Sequence, residues 1–275
     1  MRTFFVLLSR EVRSLFYTPI AYVVLVFFLA LMGFNFQSAV TFLNQGPTEN
    51  SLVEITFYNL IFWFIFPLIF PLITMRAFAD EYRMGTIETL STAPVNDWQI
   101  VLSKFFGAVA FYIVLFLPTF LYFASFTLIS ESRELDKAWN LGFGTYLHDV
   151  FHVLKAHTVS GPYGSTYMLL LLLGMFFISI GTFASSLVKD QVNAAVISLA
   201  VILLYLFIPS LLGLMLNSTD PRFTQMRGFL SPFDHMRDFA RGMVDTRQIV
   251  WYVSMTALLL VLTHQVFQGR KLKAA

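Results

Sequence analysis

Asp, Glu, Lys and Arg are absent from residues 14–48, 55–75, 105–130, 156–188, 191–219 and 248–269, so six uncharged runs alternate with charged segments. Each run is at least as long as the roughly 20 residues a helix needs to cross a ~30 Å hydrocarbon core. A water-soluble core has no reason to make that division six times. Stretches such as MLLLLLGMFFISIGTF and AAVISLAVILLYLFIP are apolar on every face, whereas barrel strands alternate over short segments. The pattern predicts an all-α integral membrane protein, a single transmembrane domain over 1–275. Its six transmembrane helices are expected at about 20–43, 55–75, 103–129, 165–188, 192–216 and 248–268.

Six spans put both termini on one side. The N-terminal segment carries Arg2, Arg10 and Arg13 against Glu11, and the tail carries Arg270, Lys271 and Lys273 with no acid. Short basic flanks are retained in the cytoplasm, so both ends are expected there. The first outside loop, NQGPTENSLVE, has neither Lys nor Arg. Residues 131–155 and 220–247 would lie outside despite their basic residues, which are accompanied by acids.

Ahead of the first span, Phe5, Leu8, Val12, Leu15 and Phe16 fall on one helical face, with Ser9, Arg10 and Arg13 opposite. That predicts an interfacial helix turned into the membrane at Pro19. A signal peptide is the competing reading, but PIAYVVLVFFLALMGFNFQSAVTFL exceeds the usual apolar region and lacks a clear A-x-A cleavage site. Pro67 and Pro71 in the second span, Pro118 in the third and Pro209 in the fifth each remove a backbone donor and predict kinks.

Composition agrees with this picture: 57% of residues are hydrophobic and 12% charged. The absence of cysteine excludes disulfides and thiolate chemistry. A formal charge of +2 is too small to suggest a nucleic-acid partner.

Little in the chain suggests catalysis. It contains no GxxxxGK[ST] phosphate loop, no GxGxxG, no GxSxG elbow and no HExxH, so it is not expected to hydrolyse ATP itself. HDVFH offers His148 and His152, an i, i+4 pair able to share a metal, with Asp149 where a zinc protease has Glu. The same residues read as an interfacial helix, Leu147, Val150, Phe151 and Leu154 forming its apolar stripe. No metal is assigned to it. His264, near the cytoplasmic end of the last span, is expected to reach the interface rather than relay protons. With no buried acid or base in the spans, energy must come from a partner.

The segment RAFADEYRMGTIETLSTAPV, residues 76–95, concentrates polarity between two apolar runs. RAFADEYRM is expected to continue the second span into the cytoplasm, with Arg76–Asp80 and Asp80–Arg83 spaced for ion pairs. Gly85 stops that helix. Thr86 caps a second short helix with Glu88 in its first turn, and Pro94 ends it. Asn96 caps the next helix, with Gln99 three residues on. The reading is a stiff lever with an exposed tip, within an inside loop at 76–98.

MRAFADEYRMGTIETLSTAPVNDWQIVLSKFFGA resembles the cytoplasmic loop of type 2 ABC-transporter permeases, in which R-x-x-A-x-E-x-x-x-G-T-x-E-x-L-x-x-x-P-V leads to V-L-x-K-F. Asp80 stands where many relatives have Glu, and Tyr82 where many have Arg. SIGTFASSLVKDQVNAAVIS and SPFDHMRDFARGMVDTRQIVWYVSMTALLLVLT extend the likeness over most of the chain, which looks most similar to the gliding-motility (GldF) and nitrous-oxide-maturation (NosY) branch. The resemblance implies a permease domain in a bacterial cytoplasmic (inner) membrane. It implies pairing with a second permease subunit, as homo- or heterodimer, and with cytoplasmic ABC ATPase subunits. ATP and Mg would be used by that partner ATPase, with no cofactor bound by this chain.

Within the loop, the resemblance implies a gate helix at Arg76–Met84 and a coupling helix at about Thr86–Thr92. The ATPase-coupling residues would be Arg76, Asp80, Glu81, Arg83, Gly85, Thr86, Ile87, Glu88, Thr89 and Leu90. SPFDHMRDFARGM would form an outside helix or re-entrant pair, with Phe233, Met236, Ala240 and Met243 or Val244 on its apolar side. Function would be ATP-driven export or extraction of a substrate. The alternative is a permease-shaped transducer passing ATPase work to a periplasmic partner without moving a solute.

Overall fold

The computed structural model describes residues 2–46, 51–85, 96–130, 161–216 and 221–274, and their regular structure is entirely helical. In chain order the helices are α1 (Arg2–Phe16), α2 (Pro19–Leu43), α3 (Leu52–Tyr58), α4 (Leu60–Thr74), α5 (Ala79–Met84), α6 (Asp97–Phe116), α7 (Thr119–Ser130), α8 (Pro162–Leu187), α9 (Gln191–Leu216), α10 (Pro221–Leu230), α11 (Pro232–Ala240) and α12 (Thr246–Ala274). Six helical stretches are long and apolar enough to cross a membrane: Pro19–Leu43, Leu60–Met84, Asp97–Phe126, Pro162–Leu187, Gln191–Gly213 and Thr246–Lys271.

The bundle is organised around α8, which packs on α4, α6, α9, α11 and α12. Burial follows this order: 78% of the apolar window of α8 is enclosed by the protein, against 22% for α2 and for α9. Between helices in lipid the hydrophobic effect is small, so close approach of backbones sets the packing. Gly174 and Gly181 permit it on α8. A methyl group at Gly174 would collide with the Tyr112 ring, and one at Gly181 with the Thr74 side chain. The Tyr112 hydroxyl then donates to the Leu170 carbonyl at 2.8 Å, joining α6 to α8.

The third span divides at Leu117–Pro118, where α6 gives way to α7, as expected where proline lacks an amide donor. Pro67, Pro71 and Pro209 lie inside their helices. At the start of the second span, Asn59 has an extended backbone and caps α4 through its side chain, which accepts from the Ile61 amide at 3.2 Å. This leaves α3 as a separate short helix. Asn35 on α2, fully buried, donates to the Thr56 carbonyl of α3 at 2.7 Å.

Both termini lie at one end of the bundle, which we term the terminal end. Thr3 meets Gln99 at 3.4 Å, and Lys271 meets Asp97 at 3.0 Å. At the opposite, distal end, Glu54 of α3 accepts from Arg241 after α11, at 3.2 Å from Nε and 3.0 Å from Nη2. Of the apolar side expected for SPFDHMRDFARGM, Met236 and Ala240 are buried but Met243 and Val244 are exposed. Gly242, at φ 80°, turns the chain out of the helix before them. His235 and Phe239 occupy the interior instead.

Candidate functional site

The polar groups concentrate at the terminal end, around α5. The backbone between α4 and α5 leaves the helical path over residues 75–78. The Met75 amide still donates to the Pro71 carbonyl at 2.8 Å, and Ala77 makes a tighter bond to Thr74 at 3.0 Å. The next two amides, of Phe78 and Ala79, donate to Ser185 Oγ at 3.0 and 3.1 Å. Ser185 in turn donates to the Met75 carbonyl at 3.2 Å. One hydroxyl from α8 has entered the main-chain ladder, a recognised cause of a break in a helix. The joint stays closed because buried amides need an acceptor. The expected continuous helix from Arg76 is therefore corrected: α5 starts at Ala79.

Five other helices hold α5 in place. Glu81 points inward, its Oε1 2.7 Å from Lys104 Nζ on α6 and 3.4 Å from Arg10 Nη2 on α1. Lys104 Nζ also lies 3.4 Å from Glu11 on α1. Asp80 accepts from the side chain of Gln191 on α9. Ser185 supplies the contact from α8. On the α12 side, the Arg270 guanidinium sits 4.5 Å from the centre of the Tyr82 ring and also donates to the Leu187 carbonyl. Phe78, before α5, meets Phe267 of α12 at 5.9 Å between ring centres.

The expected pairs Arg76–Asp80 and Asp80–Arg83 do not form. The turn at 75–78 destroys the i, i+4 geometry between Arg76 and Asp80, and Asp80 is taken by Gln191. Arg83 is exposed, as is Gly85, whose φ of 69° is left-handed and ends α5 as expected. Thr86, Ile87, Glu88, Thr89 and Leu90 lie outside the described residues, as do His148 and His152. Asn96 caps α6, accepting from the Trp98 amide at 3.2 Å. His264 stacks on Trp98 at 4.2 Å between ring centres and is buried.

Three side chains that brace α5 and its joint were not singled out from the sequence: Glu11, Lys104 and Ser185. The interior face of α1 contains Phe4 and Glu11, while Phe5, expected there, is 63% exposed. The signal for Glu11 was its spacing, three residues from Leu8 and four from Leu15, which puts an acid on the apolar stripe. Lys104 heads a long uncharged run, where a cation needs an internal partner. Nothing local marks Ser185 among its small neighbours.

A set of apolar spans about a polar, multiply braced short helix defines a multi-pass helical membrane protein. A family model described as ABC-2 family transporter protein matches residues 5–273, and the chain belongs to that family. It is accordingly a membrane permease of the ABC type, whose family works with a separate ABC ATPase subunit. Among curated proteins no relative matches the chain.

Proposed function

We propose that this chain is the membrane subunit of an ATP-driven exporter, and that α5 passes the motion of a cytoplasmic ATPase to the spans. The terminal end would face the cytoplasm of a bacterial inner membrane. Residues 86–92 would be the tip that docks on the ATPase, and a second permease subunit would complete the translocation path. ATP and Mg would be handled by the ATPase alone.

The observation that carries this reading is the Ser185-held joint between α4 and a separately braced α5. A movement of α5 reaches α1 and α6 through Glu81, α9 through Asp80 and α12 through Tyr82. A passive connector has no need of a helix tied to so many spans. Co-purification of the tagged chain from its native membrane tests the reading. An ABC ATPase should accompany it in stoichiometric amount, and reporters fused after Lys273 or at Asn96 should be cytoplasmic. Absence of any ATPase under conditions that preserve the membrane complex, or a periplasmic signal from Asn96, would overturn it.

A further inference from the structure

A cavity of about 440 Å³ opens at the terminal end between α1, the 75–78 joint and α6. Its wall holds three cations, Arg10, Arg76 and Lys104, and three carboxylates, Glu11, Asp80 and Glu81. They are unevenly paired. Arg10 and Lys104 are shared between Glu11 and Glu81, which leaves Arg76 and Asp80. Arg76 makes no ion pair among the described residues, and its Nε is buried without a hydrogen-bond partner. Among the described residues Asp80 has only the neutral amide of Gln191. A guanidinium and a carboxylate, neither with an opposite charge as partner among the described residues, thus face one cavity without reaching each other. Such a charge at the margin of a low-dielectric region is costly unless something pairs with it.

The cavity also adjoins an apolar recess. Leu15, Thr18, Ile73 and Arg76 line both, and the recess continues between α2 and α4 past Ala21 and Phe111. Its volume, about 30 Å³, suits the first methylenes of one chain. A ligand matched to both parts carries an anion for Arg76, a cation for Asp80 and an attached hydrocarbon.

We propose that this cavity binds the headgroup of a zwitterionic phospholipid from the adjoining leaflet, its phosphate on Arg76 with Arg10 beside it and its ammonium on Asp80. The bound headgroup bridges α1 to the α4–α5 joint, so lipid supply biases the position of the joint. Arg76 supplies planar donors suited to a phosphate, and its missing counter-ion is then explained.

Native mass spectrometry of the full chain in detergent tests the assignment, with phosphatidylethanolamine, phosphatidylglycerol, glycerophosphoethanolamine and inorganic phosphate as separate probes. Phosphatidylethanolamine should be retained in preference to phosphatidylglycerol, and the two water-soluble probes should bind weakly. Arg76→Gln should weaken phosphatidylethanolamine retention by about tenfold or more, the effect of losing a charge-assisted contact. Asp80→Asn should abolish the preference between the two lipids while phosphatidylglycerol retention persists. Unchanged retention by Arg76→Gln would overturn the proposal, as would equal binding of inorganic phosphate, which would mark a soluble-anion site. Should Arg76→Gln fail to fold, an intact headgroup preference in Asp80→Asn overturns it alone. No ATPase is present, so the result stands apart from the coupling role proposed for α5.

Discussion

Lys104 Nζ lies 2.7 Å from Glu81 Oε1, with side-chain exposures of only 3% and 10%. Two opposite charges so far from water hold their positions only while both are present. Lys104→Met should therefore cost up to about 3–5 kcal/mol, because it leaves the buried Glu81 with only the longer 3.4 Å contact to the largely exposed Arg10. Adding Glu81→Leu should restore most of that stability. Thermal unfolding in detergent separates the two, and equal losses in the single and double variants would contradict the pairing.

Ser185→Ala should loosen the joint without unfolding the bundle. It strips the Phe78 and Ala79 amides of their acceptor, at about 1–3 kcal/mol for each buried donor left unsatisfied. Hydrogen exchange in a peptide covering residues 75–85 should accelerate, while the core of α8 stays protected. Unaltered exchange at the joint would show that Ser185 is not holding it.

Gly174→Ala should destabilise the whole bundle, since the added methyl meets the Tyr112 ring at the contact between α6 and α8. Overpacking of this kind costs about 1–3 kcal/mol. Combining it with Tyr112→Leu should recover part of the loss. Full stability of Gly174→Ala alone would mean that α6 and α8 pack less closely than described.

The apolar architecture was legible because it depends on runs of one residue type, and the caps at Gly85 and Asn96 because they depend on neighbours in sequence. The clasp was less so. Lys104 finds Glu81 from 23 positions away and Glu11 from 93, and nothing local pairs them. In the sequence, Arg76 and Asp80 look like a helical ion pair. The structure separates them because Ser185, on another helix, interrupts the ladder between them, which no periodicity within residues 76–84 reveals. His235 was not among the residues expected on the apolar side of SPFDHMRDFARGM. Burial against α12 makes it an interior residue.

That burial predicts a pH dependence. His235 lies on α11, between the fifth and sixth spans, with Nδ1 2.8 Å from the Tyr252 hydroxyl. Burial lowers its pKa from 6.5 to about 4, outweighing the Phe229 carbonyl and the nearby Asp234 and Asp245, which favour the charged form. Between those values the unfolded chain binds a proton that the folded chain does not, so stability rises with pH across this window. Roughly 3 kcal/mol present at pH 7 should be lost progressively as the pH falls from 6.5 towards 4. Melting curves of the wild type and His235→Gln, taken at pH 7 and pH 5, should converge as the pH falls. Parallel curves would remove His235 as the cause.

We propose that α5 and the segment following it transmit ATPase motion, and Gly85, exposed and left-handed, joins the two. At φ 69° a β-branched residue is strained, whereas among the described residues no atom lies within 4 Å of a Cβ added there. The substitution should therefore redirect the chain after α5 while leaving the spans intact. The decisive measurement is ATPase association and substrate-stimulated ATP hydrolysis in the reconstituted complex, for Gly85→Val and Glu88→Ala beside wild type. Gly85→Val should insert and melt like wild type yet lose association or stimulation, and Glu88→Ala should weaken docking by about 1–3 kcal/mol. If both variants keep full association and full stimulation, the segment is a passive connector and α5 carries no coupling.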